Sequence, residues 1–129
     1  MRRRLLLALV TLALLPAAAR AEDKKKTGGV SYIPVETLTA YTVKPGGRRG
    51  VLTVDCGLDI PDAALRARAN LLLPRLRAAY VQAVQIYAGG LPSGLPPNPD
   101  FLSRNLQRLT DEVLGRKGAR LLMGAVVVT

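Results

Sequence analysis

The chain is 129 residues long, one domain's worth. Nineteen basic residues against nine acidic ones give a net charge of +10, with no histidine, no tryptophan, one cysteine and one phenylalanine. The core must therefore be aliphatic, an internal disulfide is excluded, and the missing histidine removes Ser-His and Cys-His pairs and any zinc site.

Met1-Arg2-Arg3-Arg4 is a charged n-region, Leu5 to Leu15 is an apolar run broken only by Thr11, and Ala19-x-Ala21 is the small-x-small pattern that signal peptidase needs. Residues 1–21 therefore read as a signal peptide, cleaved after Ala21. The other reading is an uncleaved anchor facing the periplasm, although the apolar run is shorter than the ~20 residues that span a bilayer. The usual residues around a twin-arginine pair are missing, so ordinary secretion is favoured. Cleavage removes four arginines and no acid, leaving fifteen basic and nine acidic residues, a net +6. An exported basic protein seldom meets nucleic acid. Its natural targets are anionic lipid, cell-wall polymer or an acidic protein surface.

Residues 22–31 are polar and glycine-rich and read as a flexible linker. From Tyr32 to Val43 the chain is rich in Thr, Tyr, Val and Ile, a strand composition. Ile33, Val35, Tyr41 and Val43 share one parity, Leu38 and Ala40 the other. A bulge near Glu36 or Thr37 reconciles the halves. Lys44 to Arg49 is a turn built on Pro45-Gly46-Gly47, so an antiparallel hairpin is expected.

Val51 to Ile60 alternates cleanly. Leu52, Val54, Cys56, Leu58 and Ile60 point one way, the half-buried strand pattern. Cys56 lies on the apolar face and reads as a small buried hydrophobe rather than a reactive thiol. Pro61-Asp62 then opens a helix that Asp59 or Asp62 can cap. Leu65, Ala69, Leu72, Leu73, Leu76, Tyr80, Ala83, Val84 and Tyr87 form one helical stripe. Pro74 interrupts it, which predicts a kink or two helices meeting near Leu72–Pro74. Gly89-Gly90 is expected to end the helix.

The proline-rich connector 91–99 cannot be regular structure. Asp100 is the expected cap of the next helix, whose apolar residues are Leu102, Leu106, Leu109 and Val113. Residues 120–129 are apolar without alternation, which predicts a central strand covered on both faces, beside strand 51–60. The order strand, strand, long broken helix, helix, strand predicts an α+β layer, with a three-stranded or larger mixed sheet and helices on one face.

No nucleotide-type glycine loop is present, and no cofactor is expected. The carboxylate candidates are few: Asp55 and Asp59 share a strand face, and Asp111 and Glu112 are adjacent on a helix. They read as solvated surface acids more readily than as acid–base machinery, so the chain is read as no enzyme. Arg66, Arg68, Arg75, Arg77, Arg104 and Arg108 all fall in the helical segments. If both helices cover one sheet face, their outer sides would form a basic surface for an acidic partner or a neighbouring copy.

Three stretches resemble the periplasmic domain of the FliL family of flagellar basal-body-associated proteins. They are Tyr32-Ile-Pro-Val-Glu-Thr-Leu-Thr-Ala-Tyr-Thr-Val43, then Gly50 to Ile60 leading into Pro61–Arg68 and Leu73-Pro-Arg-Leu-Arg77, and then Leu121–Val128 after the helix 101–114. Together they span about residues 32–128, so 32–129 is taken as one FliL-like domain. The resemblance implies a stomatin-like α+β module that assembles into rings around flagellar stator units and works through protein–protein contacts. Stator or basal-body proteins and further copies of the chain are the partners it implies; the basic charge of an exported chain adds a peripheral membrane contact and no nucleic acid to the expectation. Arg66, Arg68, Arg75 and Arg77 would then lie near such contacts. The chain departs from the family in its N-terminus: members usually keep a membrane helix after a cytoplasmic stub. A cleaved chain would be periplasmic and untethered, with a different envelope partner. The alternative reading is an envelope binding module for an anionic polymer, a lipid or an acidic protein.

Overall fold

The computed structural model describes residues 30–92 and 94–129. The expected leader and all of the expected linker but Val30 and Ser31 lie outside the described residues. The elements run β1 (Tyr32–Val43), β2 (Arg49–Asp59), α1 (Ala63–Leu71), α2 (Leu73–Gly90), α3 (Pro99–Leu114) and β3 (Arg120–Val128). The three strands form one antiparallel sheet in the order β1-β2-β3, with α2 packed on β1 and α3 on β3. This is the expected α+β layer.

The alternation of β2 does what its period requires. Leu52, Val54, Cys56 and Leu58 are buried beneath the helices while Asp55 is exposed on the open face. Leu65, Ala69, Leu76, Tyr80, Val84 and Ala88 close over them from α1 and α2, and Leu102, Leu106 and Leu114 from α3. The bulge in β1 falls where the parity changes: Val35 pairs with Cys56 but Leu38 with Val54. Glu36 and Thr37 together oppose Asp55, and Thr37 Oγ1 donates to Asp55 Oδ1 at 2.8 Å. The hairpin turn places Gly46 at φ +87°, which a type II turn after Pro45 demands, and Gly47 N–H closes it onto Lys44 O.

β3 differs from expectation. It lies beside β2 as predicted, but at the edge of the sheet and covered on one face only. The reason is a second bulge. Val54 pairs with Val126 but Cys56 with Met123, so Gly124 and Ala125 together oppose Asp55. Leu121 and Met123 face the helices, the parity then slips, and Val126 and Val128 face them too. A slipped alternation looks in sequence like two-sided burial. Both bulges therefore flank Asp55 on the central strand, where they sharpen the twist of the sheet.

The helix ends also refine the sequence reading. Asp62, not Asp59, caps α1: its carboxylate accepts Leu65 N–H at 2.9 Å, while Asp59 accepts the Ser31 hydroxyl at 2.6 Å. Pro61 precedes this cap and lies outside the helix. Leu72, at φ −95° and ψ 7°, separates two distinct helices, and Pro74 falls in the first turn of α2, where its missing N–H costs nothing. α2 runs through Gly89-Gly90 and stops at Leu91, which is extended because Pro92 follows it. Asn98, not Asp100, caps α3, accepting Phe101 N–H at 3.2 Å; Asp100 stands in the first turn, where the helix dipole favours an acid. Gly115 ends α3 at φ +79°.

Asp62 also takes Arg116 Nη2 at 2.5 Å. The Leu65 amide first, and the Arg116 guanidinium after it, hold its carboxyl below the usual range. A folded-state pKa below the unfolded one stabilises at neutral pH and loses that effect as pH falls through the carboxylate range. Asp62→Ala is expected to lower the Tm by a few degrees at pH 7. The gap to the parent protein should close in acid, which a thermal-melt series against pH checks.

Candidate interaction face

The six helical arginines are held in different ways. Arg66 Nη1 donates to Ile60 O at 2.9 Å, and Arg68 Nε donates to Leu114 O at 2.8 Å. Arg68 thus ties α1 to the carbonyl end of α3, where the helix dipole favours a cation. Arg77 Nε lies 3.4 Å from Glu36 Oε2 across to β1. That ion pair lacks hydrogen-bond alignment, and the shielded Nε–H is left without an acceptor. Arg108 reaches Glu112 Oε1 and Asn105 Oδ1, both at 2.8 Å, along its own helix. Arg75 and Arg104 are exposed. Four of the six therefore serve the protein's own carbonyls and acids.

Two of them also belong to a basic group that extends beyond the helices. Arg104 and Arg108 of α3 share a shallow depression of about 610 Å³ with Lys117 and Arg120 at the start of β3. Its one acid, Asp111, accepts from Gln107 Nε2 at 3.1 Å. Lys117 and Arg120 escaped the sequence argument because they lie outside the helices. Their signal was the run Arg116-Lys117-Gly118-Ala119-Arg120, which returns the chain from α3 to β3.

Two apolar features are also exposed. Between α2 and α3 runs a groove of about 430 Å³ lined by Ala83, Ile86, Tyr87, Leu91 and Phe101 among others. Tyr87 stacks on Phe101 at 5.6 Å, and its hydroxyl accepts Asn98 N–H at 2.7 Å, so the groove's floor is fixed. Ile86 stands 69% exposed at its rim. The second feature is the free edge of β3, where Leu121 to Val128 carries no charge and no proline.

The two sheet edges are treated differently. On β1, Gln85 of α2 accepts Tyr41 N–H at 3.2 Å and donates to Tyr41 O at 3.4 Å, so a side chain occupies the edge's backbone groups. Pro34 and the Glu36–Thr37 bulge blunt the rest. On β3, Gln107 performs the same service only at the beginning, accepting Leu121 N–H and donating to Ala119 O, both at 2.8 Å. From Met123 to Val128 the edge has no such guard among the described residues.

Cys56 sits under the helices, where burial first and the neighbouring Asp55 second push its thiol up to about 11. It is a buried hydrophobe at neutral pH, as its strand parity predicts. Among the described residues no cluster of three or more His, Cys, Asp or Glu could hold a metal ion, and no helix is long and apolar enough to cross a membrane. No protein-family model, no curated protein and no solved structure matches the chain.

Proposed function

We propose that the chain is a non-enzymatic accessory module that acts by protein–protein contact in the periplasm, in the manner of the FliL domains its strands and helices resemble. The observation that carries the contact reading is the β3 edge: a stretch uncharged from Leu121 to Val128 at the sheet margin, beside an open face bearing Tyr41, Leu122 and Val127, each more than a third exposed. Such an edge is a template for another strand unless something covers it. The flagellar setting comes from the resemblance alone. Cross-linking the tagged protein in whole envelopes and identifying its partners by mass spectrometry tests it. Recovery of stator or basal-body proteins is expected; unrelated envelope partners would leave the contact role and remove the flagellar one.

A second reading has its own support. The depression holding Arg104, Arg108, Lys117 and Arg120 fits an anionic polymer, an anionic lipid headgroup or an acidic protein segment. Exposed cations bind through screened charge, so affinity for anionic vesicles should fall steeply between low and high salt. Arg104→Ala with Arg120→Ala should weaken that binding about tenfold. Binding unchanged by salt or by the double substitution would remove this reading.

A further inference from the structure

We propose that the free edge of β3 pairs antiparallel with β3 of a second copy, joining two sheets into one of six strands about a two-fold axis between Gly124 and Ala125. The inference deepens the contact reading and rests on it.

The argument is one of register. Thr129 and Val51 exchange both backbone hydrogen bonds, at 2.9 and 3.0 Å. Counting back along the antiparallel ladder, Val128 and Val126 turn their N–H and C=O groups away from β2. Beyond the bulge Met123 does the same, as does Leu121, whose N–H faces Gln107 instead of β2. These four residues also carry the side chains that face the helix layer.

Two sheets joined about an axis normal to them must match inward residues with inward and outward with outward. In an unbroken strand an axis between two residues cannot do this. In β3 the bulge shifts the parity by one, and the axis between Gly124 and Ala125 becomes the matching one. It sets Met123 against Val126 and Leu121 against Val128 beneath the helices, and Leu122 against Val127 on the open face. Met123 and Val126 meet twice, which supplies four backbone hydrogen bonds without moving Gln107. No like charges meet: Arg120 falls opposite Thr129 at the far end.

The occupant is a second copy for two further reasons. An isologous contact needs only one surface, and this edge is complementary to itself in the register above. It also closes. Each copy spends its β3 edge, and Gln85 occupies the other edge at Tyr41, so pairing stops at two.

The test is sedimentation of the purified full chain. The parent protein is expected to sediment as a dimer. Leu122→Lys with Val127→Lys sets lysine against lysine twice across the axis on an exposed face, and should weaken association at least tenfold. Leu122→Glu with Val127→Glu should do the same. An equal mixture of the two variants should recover the dimer as a one-to-one pair, because each lysine then meets a glutamate across the axis. Circular dichroism checks that each variant is folded alone. A parent protein that stays monomeric to about 1 mM overturns the proposal. Folded variants that remain dimeric, or that fail to pair when mixed, also overturn it. A monomer that still captures envelope partners by cross-linking sinks the self-pairing and leaves the contact reading; a dimer that captures none does the reverse.

Discussion

Val54→Lys is expected to leave the protein unfolded at neutral pH, while Thr53→Lys, one residue earlier, is expected to fold with a stability change of about 1 kcal/mol or less. Val54 is 0% exposed on the central strand, between Leu38 and Val126 and beneath the helices. A lysine there must either bury its ammonium without a partner or discharge it, and its stem must fit a closely packed layer. The cost is on the order of 5 kcal/mol or more, against a total of roughly 5–15 kcal/mol for a domain of this size. Thr53 turns to the open face, between Thr39 and Val127, where an ammonium keeps its water. The two variants have the same charge and neighbouring positions. Urea titrations that inverted their order would mean that the helices cover the other face.

How far this fold could be read beforehand depended on whether each strand kept its parity. β2 keeps it for ten residues, and its buried set was legible residue by residue. β1 breaks it once, and the break was legible because apolar residues stand on both sides of Glu36–Thr37 in opposite phases. β3 breaks it too, but nearly every residue there is apolar, so the slip at Gly124–Ala125 left no contrast to see. The edge position of β3 was lost with it. The arginines show a different limit. Arg68 binds the carbonyl of a residue 46 positions away, and every residue has a carbonyl, so nothing in the sequence marks which one is reached. The guards of the sheet edges, Gln85 and Gln107, were invisible for the same reason. Both bind backbone that only the tertiary arrangement presents. The α1–α2 break at Leu72 was legible because proline leaves a local mark.

Tyr80→Ala is the second large effect, expected to cost about 3–5 kcal/mol in chemical denaturation. Tyr80 of α2 is fully buried, and its hydroxyl makes a short hydrogen bond with Thr110 Oγ1 of α3. Thr110 has one hydroxyl proton, and it donates this to Leu106 O at 2.7 Å. The Tyr80 hydroxyl is therefore the donor, and the two helices are joined by a relay running Tyr80 to Thr110 to Leu106. Removing the ring opens a cavity between α2 and the sheet and strips the partner from a buried hydroxyl. Tyr80→Phe keeps the ring and loses only the donor, at about 1–2 kcal/mol. Burial pushes the Tyr80 phenol up to about 12; the Thr110 hydroxyl opposes this in part, since it could turn its proton toward a phenolate. The Cys56 thiol is pushed up to about 11. In the unfolded chain these groups ionise near 10 and 8.5. Between those values and the folded ones the unfolded chain binds fewer protons, so stability must fall as pH rises. The fall should begin near pH 9 with Cys56 and steepen above pH 10 with Tyr80. Together the two contribute on the order of 2–3 kcal/mol once solvent screening is allowed for. Cys56→Ala should abolish the first part and Tyr80→Phe the second. A stability profile that stays flat from pH 8 to 11 would mean that neither group is sealed from water, and that the seam between α2, α3 and β2 opens far more readily than its packing implies.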